Sequence, residues 1–430
     1  MNKKFFLLFI VLLILPLTTL STVKNIILFI GDGMGTAAVD LSRMVLLGKE
    51  KFWDFENTRY IGLQKTYSEN LLTTDSAAAA TALSSGHKTS NGLLGTLSDA
   101  TATKSILKAF REVGRSAGLI TTVTVTLATP AGFCVSMPDR DELAIADEYA
   151  ETKPFDLIMG GGRQYFVPKS STASKRTDNL NLIKNFQNFG YTYISNTAQL
   201  FELTGKTPKI IGLFSESSMP NALDRNYLNT PVPTLAQMTR TALNVLSSNP
   251  KGFFLMVESG KIDFRAHAND TAGTVWEVNE LNEAFKEALS FLKKDPDTLI
   301  LVTADHETGG LTLLYPRLQL IKSQKATNEL IVSLIKNKDI NQSLKTVHEL
   351  TGIKDIKEEE IKKIKESSTP EIELSKILNE RYEVRWSTVG HTCANVNVYA
   401  FGKKAELFTG VYENTELAIK MFSAAGVSPN

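Results

Sequence analysis

The segment NIILFIGDGMG, residues 25–35, predicts a buried strand that ends in a glycine turn. One carboxylate, Asp32, stands between two of the glycines. The spacing argues against a dinucleotide cradle, because the glycines read G-x-G-x-G and Thr36 stands where the third glycine of G-x-G-x-x-G would fall. Asp32 is therefore either a turn residue or a metal ligand at the end of a strand.

Other apolar runs along the chain resemble the first and also stop near Gly, Asp or Glu. The predicted strands are 26–30, 116–122, 155–159, 253–257 and 298–303. The segments with apolar residues three and four positions apart, which predict helices, are 105–113, 234–247 and 274–292. Because strands alternate with helices, we expect an α/β fold with a doubly wound, mostly parallel sheet and helices on both faces.

The composition describes a large, nearly neutral globular chain. Its 430 residues are 43% hydrophobic and 22% charged, which is enough for a large core, in one elaborated α/β domain or more. The formal net charge of +1 gives no global reason to expect binding to nucleic acid or to an anionic membrane. Any anion binding must therefore come from a local site.

The N-terminus has the three-part pattern of a secretory signal. Two lysines lie within 1–4, an apolar run follows at 5–17, and 18–22 is mostly small and polar. We expect a signal peptide over 1–21, cleaved near Ser21, and a secreted or periplasmic protein. An uncleaved anchor is the alternative, although the apolar run is short for a membrane span.

Cys134 and Cys393 are the only cysteines, so no disulfide framework is predicted, and their pairing stays open.

One segment differs in composition from the rest of the chain. Residues 319–383 are dense in Lys and Glu, with Ile and Leu at helical intervals and a break at Pro370. We interpret them as a helical insertion on the surface of a catalytic domain formed by 22–318 and 384–430. The favoured interpretation gives it no chemistry, only a solvated decoration or an oligomer contact. Strand-like alternation resumes at 396–402 and is expected to rejoin the main sheet.

Metal-binding residue types follow the predicted strands where each one stops. Asp32 follows the first strand, Glu258 another, and Asp305 with His306 a third. Taken singly, they could be a turn residue, a neighbour of a helix cap and a structural histidine. Ligands of open α/β sheets bind at the carboxyl ends of the strands, so the shared position favours a metal site.

A second group of candidate ligands lies downstream of Glu258. Asp263 and His267 are four residues apart and would share one face of a helical turn, where both could reach one ion. A surface hydrogen bond is the alternative. His391 precedes a strand and could complete a three-ligand site. The remaining histidines, His87 and His348, are interpreted as structural or surface residues.

The segment TTDSAAAATALSSG, residues 73–86, offers a nucleophile. It predicts an alanine-rich helix with Ser76 in its first turn and Gly86 at its C-terminal end. Ser76 could be a simple N-cap, but three other capping residues precede it. The amides and dipole of a helix start favour an anion near the Ser76 oxygen.

Together these segments resemble the alkaline phosphatases, which are secreted, metal-dependent phosphomonoesterases. The resemblance covers nearly the whole chain beyond the predicted signal. The segments that carry it, in the order of the family, are NIILFIGDGMG, TTDSAAAATALSSGHKTSNGLLG, LATPAGF, GGGRQYF, GFFLMVESGKIDFRAHAND, TLILVTADHETGG and GHTCANVNVYAFG. The resemblance implies the alkaline phosphatase fold, phosphate monoesters as substrates, a homodimer, and a crown-like role for 319–383.

The resemblance also implies roles for individual residues. Ser76 would be the nucleophile that becomes phosphoserine, and Arg140 would bind two phosphate oxygens. The implied ligands are Asp263, His267 and His391 for one Zn²⁺, Asp32, Asp305 and His306 for a second Zn²⁺, and Asp32, Thr129 and Glu258 for one Mg²⁺. Co²⁺ or Mn²⁺ at one or more of these sites is an alternative.

Two residues depart from the family pattern near the third metal. Leu127 stands where Asp or His is usual, and Phe264 stands where Lys, His or Trp is usual. Both place an apolar residue where a polar one is usual, so fewer groups would orient the ligands of the third metal and tune its affinity.

Three other functions can be weighed against that of a phosphomonoesterase. A sulfatase would need a C-x-P-x-R or S-x-P-x-R motif, whereas alanines follow Ser76. A phosphodiesterase of the same superfamily is opposed by Arg140, whose expected role suits a monoester. A catalytically silent phosphate- or metal-binding protein is opposed by the presence of every implied site residue. We expect no nucleic-acid partner and no stable membrane association after signal cleavage.

Overall fold

The computed structural model describes residues 22–205, 207 and 209–429. The predicted signal at 1–21 lies outside them. The strands are β1 (Asn25–Gly31), β2 (Tyr60–Lys65), β3 (Ser116–Thr124), β4 (Leu157–Gly161), β5 (Thr192–Ile194), β6 (Ile210–Leu213), β7 (Phe253–Ser259), β8 (Thr298–Thr303), β9 (Glu307–Thr308), β10 (Leu311–Leu313), β11 (Val384–Trp386), β12 (His391–Thr392), β13 (Val396–Gly402) and β14 (Gly410–Glu413).

The helices alternate with the strands of the main sheet over much of the chain. They are α1 (Thr36–Leu46), α2 (Ser76–Ser85), α3 (Ile106–Glu112), α4 (Ala128–Ala131), α5 (Glu142–Thr152), α6 (Leu182–Asn188), α7 (Thr197–Glu202), α8 (Arg225–Leu228), α9 (Leu235–Leu246), α10 (Lys261–His267), α11 (Thr271–Leu292), α12 (Leu318–Ser323), α13 (Asn328–Ile335), α14 (Ile340–Thr351), α15 (Glu358–Glu366), α16 (Pro370–Tyr382) and α17 (Asn414–Ala425).

Ten strands form one central sheet in the order β14-β2-β13-β8-β1-β7-β3-β4-β6-β5. All pairs are parallel except those of β13, which runs antiparallel to β2 and β8. The five predicted strands correspond to β1, β3, β4, β7 and β8. The predicted mostly parallel sheet is confirmed, and 396–402 rejoins it as β13.

Both faces of the sheet are covered by helices. Successive side chains of a strand point to opposite faces of the sheet, and the side chains of β1 contact the helices on both faces. Leu28 belongs to the hydrophobic cluster that includes residues of α2, α3 and α17, whereas Phe29 belongs to the cluster that includes residues of α9 and α11. The doubly wound fold therefore explains why β1 is apolar throughout rather than alternating.

The four central strands bring their carboxyl ends to one edge. In the register of the sheet, Ile30 of β1 lies opposite Glu258 of β7 and Thr303 of β8, and Glu258 also lies opposite Thr121 of β3. The residues that follow β1 and β8, including Asp32, must therefore emerge next to Glu258. This edge is where the sequence predicts the metal site.

Residues 318–382 form five helices, α12 to α16, which we call the helical unit. Their apolar side chains, such as Ile331, Ile361 and Leu374, are buried in a cluster that also contains Leu41 of α1 and Val275 of α11. The unit is thus packed onto the main domain rather than attached only by its ends. Its interpretation as an insertion into the domain stays a prediction.

The structure answers the question of the two cysteines. Cys134 is buried and Cys393 is exposed, and both thiols are free.

Over the described residues, none of the helices combines the length and the apolar character needed to cross a membrane.

Phe285 of α11 offers a test of the core on one face of the sheet. Its ring packs against Phe29 at 5.8 Å and Phe401 at 5.0 Å between ring centroids. We expect Phe285→Ala to lower the free energy of unfolding in urea by about 3–5 kcal/mol, because a cavity replaces a fully buried ring. Phe201→Ala, at a 60% exposed position, should change it by no more than about 0.5 kcal/mol. Equal effects of the two substitutions would contradict this description of the core.

Candidate metal centre and nucleophile

The turn after β1 places Asp32 among other buried polar groups. Gly33 has a φ of +70°, and a Cβ built on it would lie 2.8 Å from Oδ1 of Asp263. A Cβ on Gly35 would lie 2.1 Å from Cγ of Glu307. The glycines therefore let the turn pass close to two other segments. Asp32 is buried, and its Oδ1 accepts no hydrogen bond from the described residues, which favours the ligand interpretation over that of a plain turn.

Asp32, Asp305 and His306 form one candidate ligand set, which we call the β1 set. One ligand atom from each lies within 4.8 Å of the others. Nε2 of His306 is 3.2 Å from Oδ2 of Asp305 and 3.7 Å from Oδ1 of Asp32. The amide of Gly33 donates to Oδ1 of Asp305 at 3.1 Å, while Oδ2 has no hydrogen-bond partner among the described residues. The set therefore offers two carboxylate oxygens and one nitrogen to a shared point.

The buried carboxyls at this edge resist ionising together when no cation is near them. Burial, reinforced by neighbouring carboxylates, raises the pKa of Asp32 well above its usual range and that of Asp305 to about 6. Burial also raises the pKa of Glu258 to about 8 and lowers that of His306 to about 4. The histidine is then neutral and supplies no counter-charge. A bound divalent cation would supply it, because buried charges need a partner.

Asp263, His267 and His391 form a second candidate set, which we call the α10 set. Helix α10 places Asp263 and His267 on one face, with Nε2 of His267 3.2 Å from Oδ2 of Asp263. Nε2 of His391 is 3.1 Å from Nε2 of His267 and 3.7 Å from Oδ1 of Asp263. His391, in the short strand β12 that precedes β13, thus completes the set, as its position in the sequence predicts.

The α10 set is arranged to face a cation. Nδ1 of His267 lies 2.5 Å from the carbonyl oxygen of Val389, and Nδ1 of His391 lies 2.9 Å from that of Thr74. Each carbonyl accepts a hydrogen bond from Nδ1 and so turns Nε2 toward the other members of the set. Burial opposes ionisation of Asp263, but the hydrogen bond from Nε2 of His267 and the nearby imidazoles lower its pKa to about 2. A cation bound between the two Nε2 atoms and the carboxylate would take the place of the proton in this contact.

Thr129, Glu258 and Asp32 form a third group, made of oxygen atoms only. Oγ1 of Thr129, in the short helix α4, is 3.3 Å from Oδ2 of Asp32. Glu258 is fully buried, and neither of its carboxylate oxygens accepts a hydrogen bond from the described residues. Asp32 is shared with the β1 set. Leu127, the residue before α4, adds no polar side chain to this group.

Ser76 is the first residue of α2, and its hydroxyl lies beside the β1 set. Oγ of Ser76 is 3.2 Å from Nε2 of His306. The N-cap of the helix is Asp75, whose Oδ1 accepts a hydrogen bond from the amide of Ala78 at 2.9 Å. Ser76 is therefore not the cap of its helix. The helix is buried along its whole length and ends at Gly86, which has a φ of 80°.

Arg140 reaches the start of the same helix. Its Nη1 lies 3.1 Å from Oδ2 of Asp75, and its side chain is 42% exposed. Asp75 thus links the cap of α2 to a guanidinium at the mouth of the site. A half-exposed guanidinium near the start of a helix is an arrangement that can bind the oxygens of an anion.

The structure also identifies residues that the sequence analysis missed. Oγ1 of Thr308 donates to Oδ1 of Asp263 at 2.6 Å and lies 3.2 Å from Nδ1 of His306, so it joins the two sets. Glu307 accepts from the amide of Gly310 at 2.9 Å and from the hydroxyl of Thr392, next to His391. Glu307 and Thr308 are the two residues that follow His306, and this position in the sequence could have identified them.

The remaining histidines belong to neither set. His87 follows the end of α2, and its Nδ1 lies 3.1 Å from the carbonyl oxygen of Ser85. His348 lies on α14, with Nε2 3.1 Å from the carbonyl oxygen of Ile356. Both contacts are local, which agrees with the structural interpretation.

Comparisons with known proteins agree on one family. The family model described as alkaline phosphatase matches residues 23–427. Alkaline phosphatase 3 of Bacillus subtilis (strain 168) is 35% identical over 425 residues, covering 94% of this chain and 89% of that protein. The crystal structure of the cold-active alkaline phosphatase of a psychrophilic Shewanella species superposes with a TM-score of 0.82 at 33% identity, covering 93% of this chain and 99% of that one. For the Thermus thermophilus alkaline phosphatase the TM-score is 0.86 at 27% identity, covering 94% of this chain and 92% of that one.

Thr308 provides a test of the link between the two sets. Thr308→Val keeps the shape of the side chain but removes the donor to Asp263, so we expect zinc affinity to fall about 10- to 100-fold. Thr308→Ser retains the hydroxyl and should bind zinc nearly as well as the unaltered protein. Competition with a chromophoric chelator measures both variants. Equal zinc affinity in the Val and Ser variants would contradict the role assigned to the hydroxyl.

Proposed function

The chain belongs to the alkaline phosphatase family, and we propose that it hydrolyses phosphate monoesters through a phosphoserine at Ser76, at a site holding two zinc ions and one magnesium ion. As an alkaline phosphatase it is a phosphoric monoester hydrolase. One observation supports the assignment of Ser76 as the nucleophile at the metal site. The hydroxyl of Ser76, at the start of α2, lies 3.2 Å from the imidazole of His306, a member of the β1 set.

The donor atoms of the three groups suit these ions. The β1 and α10 sets combine imidazole nitrogens with carboxylate oxygens, which are common zinc ligands. Asp32, Thr129 and Glu258 offer oxygen alone, which suits Mg²⁺. The unpartnered oxygens of Asp32, Asp305 and Glu258 support the assignment, because each would otherwise be a buried acceptor without a donor.

The metals would supply charge neutralisation. When bound, the ions would stabilise negative charge on the attacking and leaving oxygens of an in-line displacement and lower the pKa of a water molecule. This matters because a phosphate monoester carries two negative charges and repels an anionic nucleophile.

The residues of the chain then divide the reaction into two displacements. The Ser76 oxygen, favoured as an anion by the amides at the start of α2, attacks phosphorus, and the bond from phosphorus to the alcohol oxygen breaks. Alcohol leaves, and phosphate remains as an ester of Ser76. Water then attacks the phosphoserine, releasing inorganic phosphate and restoring the serine hydroxyl. Two inversions give overall retention at phosphorus.

Arg140 is proposed to hold the phosphoryl group during both steps. A guanidinium can donate to two oxygens at once. In the structure Arg140 contacts the cap residue Asp75, which keeps its head close to the start of α2. A monoester has the free oxygens for such a grip, whereas a diester has one fewer. This favours monoesters over diesters as the main substrates.

The third metal site has fewer polar neighbours than the family pattern provides. Leu127 and Phe264 bring no polar side chain next to Thr129 and Glu258, so fewer groups orient the ligands there. Mg²⁺ is our assignment, and Co²⁺ or Mn²⁺ at one or more sites is the alternative.

We also propose a homodimer, from the family, and a secreted or periplasmic location, from the predicted signal at 1–21. Both stay predictions.

Metal removal and reconstitution test the cofactors. We expect the purified protein to contain two zinc ions per chain and to hydrolyse p-nitrophenyl phosphate. Activity should be lost on chelation and restored by zinc, with a further increase on adding magnesium, because the ions neutralise the charge of the buried carboxylates and of the ester. Elemental analysis beside the assay measures both properties. Bound metal without turnover under every combination of ions would favour a silent binding protein instead.

Substitutions at Ser76 and Arg140 test the two roles separately. Ser76→Ala removes the nucleophile, so we expect kcat to fall more than about a thousandfold, with no phosphoenzyme trapped after acid quenching. Arg140→Ala should lower kcat/KM about 10- to 100-fold through lost charged hydrogen bonds, with Arg140→Lys intermediate. Full activity in Ser76→Ala would remove the nucleophile assignment, and unchanged phosphate inhibition in Arg140→Ala would remove that of the arginine.

A further inference from the structure

Arg265 lies on α10 between the two metal-ligand candidates of that helix. It is two residues from Asp263 and two from His267, so its side chain leaves the opposite face of the helix. It is 4% exposed, which is rare for an arginine without charged partners. Arg265 has no part in the proposed mechanism.

The partners of Arg265 come mainly from the helical unit. Its Nη2 lies 3.0 Å from Oε2 of Glu329 on α13, and its Nη1 lies 2.5 Å from Oε1 of Glu371 on α16. Its Nη1 is also 3.8 Å from Oδ2 of Asp270, the N-cap of α11. The guanidinium therefore joins the ligand-bearing helix to two helices that lie more than sixty residues later in the chain.

Two of these carboxylates are themselves held in place. Oε2 of Glu329 accepts from the side-chain amide of Asn221 at 3.1 Å. Asp270 accepts from the backbone amides of Asn328, on α13, and of Gly273, at 2.8 and 2.9 Å. Hydrogen bonds thus orient Glu329 and Asp270, and their ion pairs with Arg265 connect that orientation to α10.

The helical unit makes a second connection just after α10. The side-chain amide of Asn379, on α16, donates to the carbonyl oxygen of Asn269 at 2.9 Å, and the hydroxyl of Thr271 donates to the Oδ1 of Asn379 at 2.6 Å. Nε1 of Trp386 donates to the same hydroxyl at 3.0 Å. The turn that ends α10 is therefore held by residues of the helical unit and of β11.

We propose that the helical unit sets the metal affinity of the α10 set, and that Arg265 is the positioning residue through which it acts. The inference rests on the proposed function only in taking that set as a zinc site. It also differs from the interpretation of 319–383 as a decoration without any effect on the chemistry.

The physical reason is the shortness of α10. A helix of seven residues has little stability of its own, so the orientation of Asp263 and His267 depends on what packs against it. A metal set tolerates only small displacements of its ligands. Groups that orient ligands typically change metal affinity 10- to 100-fold when they are removed.

The test uses one variant that changes only the helical unit and two that change Arg265 on α10. The double variant Glu329→Gln with Glu371→Gln keeps the size of both side chains and removes the two charges of the helical unit that face Arg265, leaving Asp270 in place. Arg265→Gln removes the other partner, and Arg265→Lys retains the charge. Each is made in a His306→Ala background, so that zinc titration against a chromophoric chelator reports the α10 set. The same changes in a His391→Ala background report the β1 set.

Arg381 supplies the matched control. It lies on α16 and binds Glu360 of α15 at 2.9 Å and Asp355 at 3.0 Å, entirely within the helical unit. Arg381→Gln therefore breaks a comparable ion pair of the same unit without a contact to α10. Thermal unfolding of each metal-free variant shows whether the protein is folded.

We expect the double Gln variant and Arg265→Gln to weaken zinc binding at the α10 set about tenfold or more. Arg265→Lys should recover most of the affinity, and Arg381→Gln should leave it unchanged. Zinc binding at the β1 set should stay the same in all of them.

The opposite results are distinguishable. Unchanged affinity in the double variant, or equal loss at both sets, would overturn the inference while leaving the proposed function intact. If Arg265→Gln fails to fold, the double variant still decides the question. An unaltered protein that binds no zinc would overturn the proposed two-zinc site, and this inference with it.

Discussion

The crowding of buried carboxylates at one edge of the sheet is the constraint on which the site depends. Asp32, Glu258 and Asp305 are buried together, and the pKa of each is raised, first by burial and then by a neighbouring carboxylate. Such a cluster opposes folding unless positive charge enters it. The fold nevertheless places all three at the ends of neighbouring parallel strands. A site of this kind is explained by the ions it would bind and not by the stability of the protein alone.

Several local features are consequences of that crowding. The turn after β1 needs glycine because a side chain at Gly33 or Gly35 would collide with Asp263 or Glu307. The imidazoles of the α10 set are oriented by backbone carbonyls, which leave the Nε2 atoms facing the centre. Thr308 joins both sets through one hydroxyl. Each feature orients ligands before any metal arrives, and this reduces the cost of ordering them on binding.

The helical unit gives the same edge a support from outside the sheet. The strands hold Asp32, Glu258 and Asp305 through a continuous hydrogen-bond ladder, but Asp263 and His267 lie on a short helix beyond the end of β7. Arg265 and the turn at 269–271 connect that helix to α13 and α16. The α10 and β1 sets are therefore held by different parts of the molecule, although they lie side by side. This explains how one site can depend on both a rigid sheet and a separate group of helices.

The sequence alone determined the elements and the residue types of the site. Continuous apolar runs located the central strands, and apolar residues three and four positions apart located the main helices, because the pattern reflects which sides of an element are buried. The position of acids and histidines after those strands located one edge of the sheet. Contacts between distant residues were decided only by the tertiary structure. Arg265 meets Glu371, 106 residues away, and Thr308 meets Asp263, 45 residues away. No local pattern encodes such pairs, because they depend on how the elements pack after they have formed.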